Sequence, residues 1–189
     1  MASLITHAVA AAALGQAAPA RYREDRRFWA AAVTCACLPD IDVLGFFFGV
    51  RYGDLWGHRG MTHSLLFAAV VGTAAAAALR KKRPEDVWML TALLALITAS
   101  HGFLDAFTDG GLGVAFFSPF DRTRYFFPWR PVRVSPIGVR PFFSRTGLDI
   151  LLSEARWIWL PSLALGALLR AGGAFFSPAS APGPRRPPG

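Results

Sequence analysis

The 189-residue chain is 53% hydrophobic and 17% charged, with a mean hydropathy of +0.37, whereas an average soluble domain is about 25% charged. That balance argues against an ordinary soluble enzyme and for a membrane protein. The net charge of +8 lies in clusters between apolar runs rather than along one face, which suits loops and anionic lipid headgroups and argues against nucleic acid as a partner.

Five apolar segments follow one another, each close to the ~20 residues that cross a bilayer. The first, Ser3–Ala18, is alanine-rich and carries His7. It lacks the positive leader of a signal peptide, and its charges follow the apolar run, so it reads as a retained helix. Arg21–Arg27 then supplies four arginines and two acids. The second segment, Phe28–Val50, holds Cys35 and Cys37, too close in sequence for an unstrained disulfide and read as small buried residues. It also holds "LPDID", in which Pro39 should break or kink the helix beside Asp40 and Asp42.

The loop Arg51–Met61 contains Asp54, His58 and Arg59, and the third segment, Thr62–Leu79, opens with Thr62 as expected N-cap and His63 in the first turn. Arg80–Asp86 is a second short basic loop, and together with Arg21–Arg27 it is expected on the cytoplasmic side. The fourth segment, Val87–Phe107, puts Asp105 four residues after His101, on the same helix face. The long stretch Thr108–Gly147 is rich in Phe, Trp, Pro and Arg. It reads as an interfacial loop, or as a lid in which Arg122, Arg124 or Arg130 holds a phosphate. Leu148–Leu169 is the fifth segment, with Glu154 and Arg156 inside it. Asp54 and Asp109 read as loop or turn residues. The expected fold is all-α, a polytopic bundle of about five helices over residues 1–170, followed by a disordered Pro/Gly-rich tail over 171–189.

Carboxylates inside membrane segments are costly and point to function. Here they accompany all four histidines, each placed toward one membrane face. Neutral imidazole and carboxylate suit zinc and related divalent ions, and such an ion also offsets the cost of burying carboxylates. His58 and His63 are five residues apart, a poor spacing for sharing one ion from one helix face.

"TH", "LPDID", "HRGMTHS", "HGFLDAFTDGG", "SPFD" and "FFPW", from Thr6 to Trp159, resemble the YdjM-type family of inner-membrane metal-dependent hydrolases. The order of ligands is also similar to the zinc-dependent phospholipase C and single-strand nuclease superfamily. That likeness implies a metal site of Asp40, His63, His101 and Asp105, with Asp105 bridging to a second ion held by His7. The chain departs from the superfamily in two ways: six residues precede His7, and no histidine follows His101. Glu154 stands where a remnant of a third site would be.

The resulting expectation is hydrolysis of a phosphoester at the inner membrane, on a phospholipid or related substrate, with one or two zinc ions. Asp42 would act as general base, His58 as proton donor or extra ligand, and Arg59 as a binder of the substrate's negative charge, with His58 and Arg59 forming the substrate-facing lip. Two rivals are a metal-ion or proton-coupled transporter, which needs ligands near the midplane, and a non-catalytic scaffold, which needs a closed coordination shell.

Overall fold

A computed structural model describes residues 1–79, 84–137 and 143–175. The basic run Arg80–Arg83 and the tail from residue 176 onward lie outside the described residues. Helix α1 spans Leu4–Leu14, capped by the Ser3 hydroxyl, which accepts from the Thr6 amide. After the short α2 (Ala20–Arg23), α3 covers Arg26–Cys37, and its N-cap Asp25 accepts from the Arg27 amide. Pro39 cannot donate into a helical ladder. The chain tightens there into a 3-10 stretch, Leu38–Phe48, that buries Asp40 and Asp42.

Helices α4 (Leu65–Leu79) and α5 (Val87–Ala106) pack side by side. Their closeness rests on Gly72, where an added Cβ would fall on the backbone of Ala95. Phe28, Ala32, Ala36, Ala76, Leu90, Leu94 and Ile97 form the apolar core shared by α3, α4 and α5. Beyond α5 the chain is irregular, with isolated bridges between Thr108 and Val132 and between Val114 and Tyr125. Helix α6 (Arg145–Glu154) passes through a π-helical turn, Ala155–Trp159, into α7 (Leu160–Phe175).

The regular elements among the described residues are thus all helical, without a strand. The even set of five bilayer-length segments is corrected in part. Two stretches, Arg26–Phe48 and Val87–Ala106, are long and apolar enough to cross a membrane, whereas Leu4–Ala17 and Leu65–Leu79 are shorter. At 1.5 Å per residue the 20 residues of α5 reach about 30 Å, the thickness of a hydrocarbon core. Large side chains such as Phe47, Phe48, Trp88, Phe120 and Leu168 are exposed on the outside, as a lipid-facing surface requires.

The expected N-cap of α4 is also corrected. Ser64, not Thr62, accepts from the Phe67 amide at 3.1 Å. Thr62 sits one turn earlier and faces inward. Both cysteines are free, Cys35 buried and Cys37 partly so.

Candidate metal centre

Four parts of the chain converge near the C-terminal end of α5. The 3-10 stretch brings Asp40 and Asp42, and α5 brings His101 and Asp105 on its buried face. Helix α1 brings His7. The tight loop before α4 brings His58, Arg59 and His63. Its Gly57 lies against the carbonyls of Arg51 and Tyr52, where no Cβ fits. All these side chains are at most 6% exposed, so the cluster is an interior feature.

One ligand-type atom from each of Asp40, His63, His101 and Asp105 lies within 4.8 Å of all the others. His101 Nε2 is 3.2 Å from Asp40 Oδ1. His63 Nε2 is 3.7 Å from Asp40 Oδ1 and 3.6 Å from Asp105 Oδ2. Around a tetrahedral zinc with bonds near 2.0–2.1 Å, neighbouring donor atoms stand roughly 3.3 Å apart. The three separations of 3.2, 3.6 and 3.7 Å are close to that value, and the group could hold an ion.

The hydrogen bonds fit it as well. His101 Nδ1 donates to the Ala36 carbonyl at 2.7 Å, which leaves Nε2 of the neutral ring as a lone pair. His63 Nδ1 lies 3.2 Å from Asp42 Oδ2 and 3.1 Å from Thr62 Oγ1, and the Thr62 hydroxyl donates to the same Asp42 oxygen at 2.7 Å. Nε2 of His63, Nε2 of His101 and both oxygens of Asp40 are buried without a hydrogen-bond partner. Histidines oriented through one nitrogen, with the other left free toward a carboxylate, are the usual environment of a metal. Burying these atoms unpaired carries a cost that an ion removes.

Electrostatics point the same way. Burial lowers the affinity of His63 for a proton, yet its contacts with Asp105, Asp40 and Asp42 push its pKa up to about 10. Three carboxylates facing one imidazole account for that rise. His58 is held below its ordinary value by burial, against the raising pull of Asp42.

Asp42 serves both imidazoles. Its Oδ1 accepts from His58 Nδ1 at 2.8 Å, and its Oδ2 accepts from the Arg59 amide and Thr62. Asp42, His58 and His63 form a second set with ligand-type spacing. Both Asp42 oxygens are occupied by these bonds, unlike those of Asp40. His7 stacks on His101, ring centroids 3.6 Å apart, and its Nε2 lies 3.7 Å from Asp105 Oδ1. It stands beside the four-residue group rather than in it, and neither of its nitrogens has a hydrogen-bond partner.

Two expected positions are corrected. His58 and Arg59 form no exposed lip, since each is fully buried. Arg59 adopts φ +63°, which turns its side chain inward. Its Nε donates to Asp105 Oδ2 at 3.0 Å and its two terminal nitrogens to Gly110 O and Thr108 Oγ1 at 2.8 Å. The planar fork is used up inside the fold. Arg124 is likewise committed, donating to the carbonyls of His58 and Tyr52 at 2.9 and 3.2 Å. Arg130 lies over the Phe126 ring, and Arg122 is exposed. Asp54 and Asp109 are turn residues, accepting from the amides of Arg51 and Val134. Among the described residues Glu154 lies in neither ligand-spaced group; it accepts from the amide and hydroxyl of Ser3, each at 2.6 Å. Next to Ser3, the Ala2 amide donates to Asp105 Oδ1 at 2.6 Å.

Three parts of the site escape a reading by residue type: the Ala36 carbonyl, the Thr62 hydroxyl and the buried Thr108. Only Thr62 left a signal, its place directly before His63.

The YdjM inner membrane protein family matches residues 1–178 of the chain. Inner membrane protein YbcI of Escherichia coli (strain K12) is 36% identical over 169 residues, which cover 89% of this chain and 97% of that one. No solved structure matches.

Proposed function

This chain belongs to the YdjM inner membrane protein family, and from that premise we propose that it is a multi-pass, metal-dependent hydrolase acting on a phosphoester. It is an inner membrane protein. The observation that carries the reading is the convergence of unpartnered Asp40 oxygens and unpartnered Nε2 atoms of His63 and His101.

In this reading Asp40, His63, His101 and Asp105 hold a divalent ion, zinc by its nitrogen and oxygen donor set, and His7 beside Asp105 is the neighbour through which a second ion would be held. A bound ion supplies polarisation of a phosphoryl oxygen and a more acidic water. The chain's own residues do the rest. Asp42 orients His63 and His58 and, with both oxygens engaged, acts as a positioning residue instead of the general base. His58 Nε2 has no partner and its Nδ1 is backed by Asp42, so His58 is the group assigned to carry a proton to the leaving oxygen. Arg59 holds Asp105 in place.

A transporter needs two-sided access to its ligands, and a scaffold needs a closed shell. Asp40 lines a cavity that reaches the outside, which favours a site open to substrate. The test is metal analysis of the purified full chain with a hydrolysis screen over phosphodiesters and phospholipids. Bound metal with metal-dependent turnover, lost together in His101→Ala, is the expected result. Bound metal with no turnover on any substrate leaves the scaffold, and metal uptake into proteoliposomes leaves the transporter.

A further inference from the structure

A groove of about 710 Å³ runs between α1, α3 and the Leu38–Phe48 stretch, within the roughly 300–1,000 Å³ of small-molecule sites. It is lined by Leu4 and Ile5 of α1, Val33 of α3, and Ile41 and Leu44 of the 3-10 stretch. Leu4, Ile41 and Leu44 are about half exposed, at 54%, 51% and 51%. The groove is therefore open along its length, on the flank of the Arg26–Phe48 span.

Among the described residues that line it, Asp40 is the one with a charged side chain, and Met1 lines it as well; Asp40 also belongs to the four-residue metal set. The groove and the cluster thus share a wall. The lining offers few other polar groups, chiefly Ser3, Thr34, Cys37 and Ser135. A polypeptide laid in it would leave backbone amides unpaired, which is costly away from water. A hydrocarbon chain asks for no such partner. A cation held by Asp40 would complement a phosphate.

We propose that this groove binds one hydrocarbon chain of a membrane phospholipid, with the phosphate end at Asp40, so that lipid reaches the cluster sideways from the bilayer. Chain binding stands on the groove itself; the phosphate's place at Asp40 rests on a cation held in the cluster, and the lipid's role as substrate on the hydrolase reading.

The full chain is reconstituted in vesicles of phosphatidylethanolamine and phosphatidylglycerol. These contain a phospholipid with a photoreactive diazirine in its acyl chain, and adducts are mapped by peptide mass spectrometry. Labelling should concentrate on Leu4, Ile5, Val33, Ile41 and Leu44. Ile5→Trp and Val33→Trp fill the groove from two different helices. Each should cut labelling of the other lining residues about tenfold, the scale of a steric mismatch in an apolar pocket, with metal content unchanged. Labelling spread evenly over outward residues such as Trp88 and Leu96, or indifferent to both tryptophans, overturns the proposal. Hydrolysis is then compared on a long-chain phospholipid and a water-soluble phosphodiester. Groove labelling without turnover of either keeps the lipid site and removes the hydrolase. Turnover without groove labelling does the reverse. Loss of phospholipid turnover alone in Val33→Trp supports both.

Discussion

His101 Nε2 faces Asp40 Oδ1 at 3.2 Å, while its Nδ1 is tied to the Ala36 carbonyl. The two residues come from separate elements, α5 and the stretch after α3, and neither facing atom has a hydrogen-bond partner. An ion between them would join those elements as well as fill the pocket. His101→Ala and Asp40→Ala should each abolish stoichiometric metal in the purified protein, measured by elemental analysis. Both should also lower its unfolding temperature in detergent relative to the metal-loaded wild type. Full metal occupancy in both variants would sink the site.

Asp42 touches His58 and His63 through Nδ1 of each ring, the nitrogen opposite the unpartnered Nε2. Asp42→Asn keeps the shape and weakens the orientation of His63 and His58. Its metal affinity should fall about 10–100-fold, the usual loss from a partner behind a ligand, rather than disappear. Competition with a chelator of known affinity measures it. A loss as complete as that of Asp40→Ala would make Asp42 a direct ligand.

Much of this centre was legible before the fold was known. The four-residue spacing of His101 and Asp105 puts both on the buried face of α5, and Pro39 does end α3 beside two buried carboxylates. What escaped was set by distant residues. Arg59 reads as a surface cation because arginine is seldom buried. Its interior place depends on Asp105, Thr108 and Gly110, which lie 46, 49 and 51 residues away. Thr62 looks like an N-cap by type, yet Asp42, 20 residues earlier, claims its hydroxyl. Segment lengths also misled: the apolar run Thr62–Leu79 includes a 3-10 turn at Met61–His63 that shortens the true helix to Leu65–Leu79.

Arg59 and Asp105 are both fully buried. Arg59→Leu leaves that carboxylate without its guanidinium partner, and removing one member of a buried pair costs about 3–5 kcal/mol. The exposed pair Arg133–Asp149, with side chains 58% and 56% accessible, gives the contrast, since Arg133→Ala should cost about 0–1 kcal/mol. Denaturant or thermal unfolding in detergent reads both. Equal, small effects would mean that Arg59 does not hold the site together.

The contact of α4 with α5 offers a test of the fold apart from the metal. At Gly72 a single added carbon would meet the Ala95 backbone, with the Ala95 Cα at 2.6 Å. No rotamer change relieves a clash with backbone, so the helices must separate. Gly72→Ala should therefore destabilise by about 1–3 kcal/mol, the range for overpacking, and Gly72→Leu by more. Helix α5 carries His101 and Asp105 more than a full helix turn beyond the contact, so a local separation should leave metal binding in the folded fraction near that of wild type. Unfolding curves with metal content measured on the same samples distinguish the two effects. Unchanged stability in Gly72→Leu would show that α4 and α5 do not meet at this residue.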